Sequence, residues 1–226
     1  MFAKYWEAGR VKTRLAKSVG EVAARDVYLC FLQHLVRKYS KFGDRRTLVF
    51  SPFESKDDFS SWCKGLFAKD SVRKPWGLHP QAEGDLGTRM RIFFETFGKS
   101  EDDKNILIGS DSPDVPANIL EHAVSMLDNV PVVFGPSTDG GYYLIAMRGK
   151  PQNVFEDIPW STPEVMPSTQ RVMQQQGIAW GTLPEWTDVD ELSDLNSLMK
   201  RLNAATDGAD AELHERLKAM ELPDVC

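Results

Sequence analysis

Cysteine and histidine are scarce here, three and four residues among 226. Cys30, Cys63 and Cys226 lie far apart and form no CxxC pair, so the sequence predicts reduced thiols and no disulfide. The scattered histidines offer no paired spacing for zinc, and His34 and His122 fall on apolar helix faces where a satisfied core histidine is the usual case. A Walker A loop and a GxSxG elbow are both missing, which removes P-loop and serine-hydrolase chemistry. No apolar run approaches the roughly 20 residues a membrane helix needs, and the opening "MFAKYWEAGRVKTRL" has no signal-peptide core. A soluble, cytoplasmic protein is expected. The charge, −6 from 33 acidic and 27 basic residues, is mixed along the chain, so nucleic acid is not the expected partner.

What remains is a chain with 42% hydrophobic residues, enough for one sizeable core. Short apolar runs alternate with longer amphipathic ones, the pattern of an α/β protein with a mostly parallel sheet. There is neither repeat nor flexible linker, so residues 1–226 are expected to form a single domain. Strands are predicted over 45–51, within 74–81, in "NILIGS", "VPVVFGP" and 142–147, and in "IAWGTL". The capping-box form of "SVGE" predicts a first long helix from Ser18, with Val19, Val22, Ala23, Val27, Cys30, Phe31 and Leu35 at helical spacing. Further helices are expected in "KDDFSSWCKGLFA", from Leu86 to Phe97, from Pro116, from Pro167 and through the tail after Glu191, where Gly208 separates two segments.

Ligands of open α/β sheets bind beyond the carboxyl ends of strands, and four such places carry chemistry. In "EAGRVKTRL", Gly9, Arg10, Lys12 and Arg14 suit a phosphate cradle; a solvated basic turn is an equal reading. In "QAEGDLGTRM", Gly84 and Asp85 could meet a planar base or sugar, though Asp85 more simply caps the next helix. In "IGSDSPDVP", Asp111 suits Mg²⁺ better than Asp114, and a plain Ser/Asp/Pro turn competes with both. In "GPSTDGGYYL", Asp139 with Tyr142 and Tyr143 suits a sugar or acceptor, while "DGG" alone reads as a hairpin turn.

These segments, with "PWST" and "DVDELSDL", stand in the order and spacing of a known family. Over residues 2–198 the chain resembles the glycosyltransferase-like proteins often labelled radical-SAM/selenodomain-associated transferases, in the nucleotide-diphospho-sugar transferase superfamily. The resemblance implies a GT-A fold: a Rossmann-like three-layer α/β/α sandwich with a mixed, mostly parallel sheet. It implies that Lys12 and Arg14 meet phosphates, with Gly9 and Arg10 in the same loop and Gln81, Gly84 and Asp85 near the nucleoside. It implies that Asp111 and Asp190 bind Mg²⁺ or Mn²⁺, making Lys12, Arg14 and Asp111 the catalytic set. Asp139, Gly140, Gly141, Tyr142, Trp160 and Ser161 would face the acceptor. This chain departs from the family in opening directly at Met1-Phe2-Ala3-Lys4, which predicts a short first strand, and in replacing a proline-rich loop by "YWEAG".

The implied activity is metal-dependent transfer from a nucleotide-diphospho-sugar to an unidentified hydroxyl acceptor. Nucleotidyl transfer with release of pyrophosphate is the alternative, since three cations in "GRVKTR" suit a triphosphate. A non-catalytic nucleotide-binding protein is the third.

Overall fold

The structure is a computed structural model that describes residues 1–68, 76–204, 208–220 and 222. Cys226 and the start of "KPWGLHPQ" lie outside them. Contacts divide the chain into two compact units, Met1–Pro80 with Ser110–Val115 and Val189–Cys226, and Gln81–Gly109 with Pro116–Asp188.

The first unit holds a three-stranded parallel sheet, in order β1 (Phe2–Lys4), β2 (Thr47–Ser51) and β3 (Gly77–Pro80). Phe2 pairs with Val49, and Thr47 with Gly77. Parallel neighbours need a crossover, supplied here by α1 (Thr13–Val19) and α2 (Glu21–Lys38), then by α3 (Lys56–Phe67). The short β1 matches its expected length. The single helix expected from Ser18 is corrected: Ser18 lies inside α1, and Gly20, at φ +87°, separates the two helices. That backbone conformation favours glycine, so "SVGE" spells a helix break where its side chains suggested a cap.

Further along, the second unit holds a mixed sheet in order β4-β6-β5-β7, comprising β4 (Lys104–Ile108), β5 (Val132–Pro136), β6 (Tyr142–Arg148) and β7 (Trp180–Thr182). β6 runs antiparallel to both β4 and β5, and β5 is parallel to β7. Its helices are α4 (Leu86–Phe97), α5 (Ala117–Met126) and α6 (Val165–Gln176). Pro116 is the N-cap of α5 and not its first residue. α6 likewise starts two residues ahead of Pro167, which costs nothing because first-turn N–H groups have no helical acceptor.

The first unit is completed by α7 (Leu192–Asn203) and α8 (Gly208–Lys218), so Gly208 opens the last helix. Leu195, Leu198, Met199 and Leu202 of α7 recur at helical spacing and are buried with Leu15, Val19, Val27, Phe31, Val189, Leu213 and Leu217. Each such leucine contributes about 1.5–3 kcal/mol of transfer free energy. This cluster matters for function because it anchors the chain beside two candidate site residues: Leu15 next to Arg14, and Val189 next to Asp190.

Asp210, in α8, is nearly buried, with His34 Nε2 at 3.0 Å and Lys38 Nζ at 2.7 Å. Burial pushes its pKa up, but hydrogen bonds from His34 and Lys38, with the lysine charge, hold the carboxyl below the usual range. This pairing ties α8 to α2.

Among the described residues, no helix is long and apolar enough to cross a membrane.

Candidate functional site

Lys12 is the N-cap of α1 and adopts a left-handed backbone, φ 48° and ψ 45°. A non-glycine residue costs roughly 1 kcal/mol or more there, so other contacts must hold it. Its carbonyl accepts the Ala16 N–H at 2.8 Å. Its ammonium donates to the Val189 carbonyl at 2.6 Å, lies 3.4 Å from Asp190 Oδ1, and pairs directly with Asp111. The lysine side chain is 2% exposed, against 42% and 38% for Asp111 and Asp190. One buried cation thus gathers two half-open carboxylates.

Two backbone features explain why the aspartates converge. The Val189 N–H donates to the Asp111 carbonyl at 2.9 Å, which ties the strand-end loop to the entry of α7. The entry itself is set by a capping box between Glu191 and Asp194, with Asp194 Oδ2 also accepting the Asp190 N–H at 3.0 Å. "DELSDL" therefore builds its own turn. Arg14 completes a neutral quartet, its guanidinium 3.3 Å from Asp190 Oδ2 and 63% exposed.

The loop holding Asp111 is braced from three sides. Asp114 is buried and accepts from Arg201 Nε of α7 at 2.6 Å. Tyr39 donates its hydroxyl to the Val115 carbonyl at 2.6 Å, and Tyr28 lies 3.2 Å from Ser110 Oγ. Burial, then the Asp111 charge, raises the Tyr28 pKa, so the phenol stays neutral. Asp114 is held in place by Arg201, a contact that no sequence motif marks.

Asp111 and Asp190 therefore fit a hard divalent cation: both touch one nitrogen, both offer carboxylate oxygens, and both face solvent in part. Among the described residues no group of three or more His, Cys, Asp or Glu could hold a metal, so the remaining positions of such an ion would belong to water or substrate phosphate. Gly9, at φ +78°, and exposed Arg10 lie in the β1–α1 connection that ends at Lys12, and Arg14 follows in the first turn of α1.

The second unit contains the other expected residues. Asp85 is the N-cap of α4 and accepts the Thr88 N–H at 2.8 Å, which lowers its pKa; the simpler of its two readings is the one the geometry supports. Arg89, absent from the expected set, closes the same loop by donating to the Gly84 carbonyl at 2.9 Å and reaching Gln81 Oε1 at 3.3 Å.

Asp139 holds its own turn, with Oδ1 accepting from Ser137 Oγ at 2.5 Å and from the Gly141 N–H at 2.9 Å. Gly140 has φ +89°, and a Cβ there would collide with the backbone of Pro163. Tyr142 packs between Phe134 and Trp160, its hydroxyl 3.8 Å from Met90 Sδ. Trp160 in turn lies against Gly87, where a Cβ would meet the indole at 2.6 Å. Ser161 is exposed and left-handed, at φ 65°.

Residues 36–162, more than half the chain, match the model of a family described as "Uncharacterized protein conserved in bacteria (DUF2064)". A crystal structure from Desulfovibrio desulfuricans G20, described as a "putative nucleotide-diphospho-sugar transferase", is similar at 29% identity with a TM-score of 0.84, covering 97% of this chain and 94% of that one. The chain has the α/β fold of that protein. A homolog of Mycobacterium tuberculosis Rv0371c from Mycobacterium sp. strain JC1 matches at 12% identity and a TM-score of 0.44, over 81% of this chain and 84% of its own. No curated protein matches.

Proposed function

The chain belongs to the DUF2064 family, and from that premise we propose that it is a transferase using a nucleotide-diphospho-sugar donor, with Mg²⁺ or Mn²⁺ as cofactor. The carrying observation is the convergence of Asp111 and Asp190 on Lys12, with Arg14 beside them, at the N-terminal end of α1. The Desulfovibrio structure supports the donor class through fold and sequence likeness together.

In this reading Asp111 and Asp190 hold the cation, which would offset charge building on the departing diphosphate. Arg14, exposed and set on the rim, and Arg10 bind the diphosphate oxygens. Lys12 adds its charge to the same group. Gln81, Gly84 and Asp85 bound the nucleoside, Asp85 by shaping its turn. Asp139, Gly140, Gly141, Tyr142, Trp160 and Ser161 are assigned to the acceptor, with the polar groups of Asp139 and Ser161 exposed.

Binding of a panel of nucleotide-diphospho-sugars, with and without Mn²⁺, tests the proposal. Wild-type protein should bind at least one in a Mn²⁺-dependent way, and indifference to all of them would refute it. Nucleotidyl transfer remains a second reading because Arg10, Lys12 and Arg14 fall within five consecutive residues, a density of cations suited to a triphosphate. Pyrophosphate release from a nucleoside triphosphate would select that reading.

A further inference from the structure

Lys12 occupies the point on which both carboxylates converge, and that has a consequence for how an ion enters. We infer that the Lys12 ammonium is a resident stand-in for the divalent cation, so that the ion can be seated only as the lysine leaves. The inference rests on the reading of Asp111 and Asp190 as the ion's ligands.

Three observations carry it. The ammonium is in contact with Asp111, 3.4 Å from Asp190 Oδ1 and 2.6 Å from the Val189 carbonyl, so its own oxygen shell is the shell an ion would take from this chain. Its side chain is 2% exposed, so the point between the carboxylates is already filled, and an ion that takes that point must displace the nitrogen. Asp190 has a second cation, Arg14, on its other oxygen, so that carboxylate keeps a partner while Lys12 moves.

Charge balance sets the direction. Lys12, Arg14, Asp111 and Asp190 form a neutral group as they stand. A divalent ion added without displacement would leave two extra positive charges, with an ammonium at contact distance. Displaced, the ammonium needs an anion, and the diphosphate of a donor is one. Ion and donor therefore bind with positive coupling, each raising the affinity for the other by the same factor. Lys12 changes partner from carboxylate to phosphate without breaking any covalent bond.

Two measurements test this. Titration with Mn²⁺ alone should show weak binding by wild-type protein and about tenfold tighter binding by Lys12→Met, a difference of about 1.4 kcal/mol. Equal or weaker binding by a folded Lys12→Met overturns the inference and leaves the ion site itself standing. Absence of Mn²⁺ binding by both proteins overturns the inference and the ion reading together. Wild-type protein gives an independent readout that does not depend on the variant folding. Reductive methylation, mapped by mass spectrometry, should leave Lys12 unmodified without Mn²⁺ and modify it several-fold faster at saturating Mn²⁺. A Lys12 rate unchanged by bound Mn²⁺ overturns the inference.

Discussion

Asp111 and Asp139 are two aspartates that each follow a strand and precede a turn, yet the chain uses them differently. Asp139 spends Oδ1 on its own turn, accepting from Ser137 Oγ and the Gly141 N–H. Asp111 faces a buried lysine that also contacts Asp190, while its surrounding loop is held by Tyr39 and by the ion pair of Asp114 with Arg201. Asp139 thus commits one carboxylate oxygen to its own turn. Asp111, whose loop is braced by other residues, directs its carboxylate to Lys12 instead.

The largest expected effect breaks the contrast at Asp111. Asp111→Asn should cut Mn²⁺-dependent donor binding by about a hundredfold or more, read by calorimetry, because a hard divalent ion loses one of two anionic ligands. Asp139→Asn should leave that binding within a few-fold. A large loss at Asp139 would show that the turn aspartate also serves the ligand.

Next in size are changes to the framework. Gly140→Ala should destabilise by about 2–3 kcal/mol in chemical denaturation, since it adds a Cβ both at positive φ and against the Pro163 backbone. Arg201→Ala should cost about 2 kcal/mol by removing the cation beside buried Asp114, a figure reduced from that of fully buried pairs because Arg201 is 36% exposed. It should also weaken Mn²⁺ binding, because the Asp111 loop loses a brace; unchanged ion affinity would separate Asp114 from the site.

The smallest effect is a pH dependence that belongs to neither aspartate. Asp210 has a folded pKa below its unfolded one, so its contribution is present above the unfolded value and is lost as pH falls through the folded value. Stability should decline below about pH 4 for this reason, and Asp210→Asn should flatten that part of the curve at the cost of lower stability at neutral pH. An unaltered acid profile would show that the α2–α8 pairing contributes nothing to stability.

Much of the molecule is legible in its amino-acid sequence. Among the described residues, the seven strands fall within or beside the apolar runs that predict them. Hydrophobic period and motif spacing are local signals, and these features are written locally. The break at Gly20 depends on one residue's φ, which "SVGE" leaves open. The Arg201–Asp114 and Arg89–Gln81 contacts depend on where long side chains end, and periodicity does not encode that. Nor does spacing say that the charged residue between Asp111 and Asp190 would be Lys12 in a left-handed backbone.

The most direct test of Asp111 as an ion ligand compares wild type with Asp111→Asn in thermal shift against nucleotide-diphospho-sugars in the presence of Mn²⁺. At least one donor should raise the wild-type Tm only when Mn²⁺ is present, and the variant, equally folded, should show no such shift. A full Mn²⁺-dependent shift in Asp111→Asn would contradict the role assigned to that carboxylate.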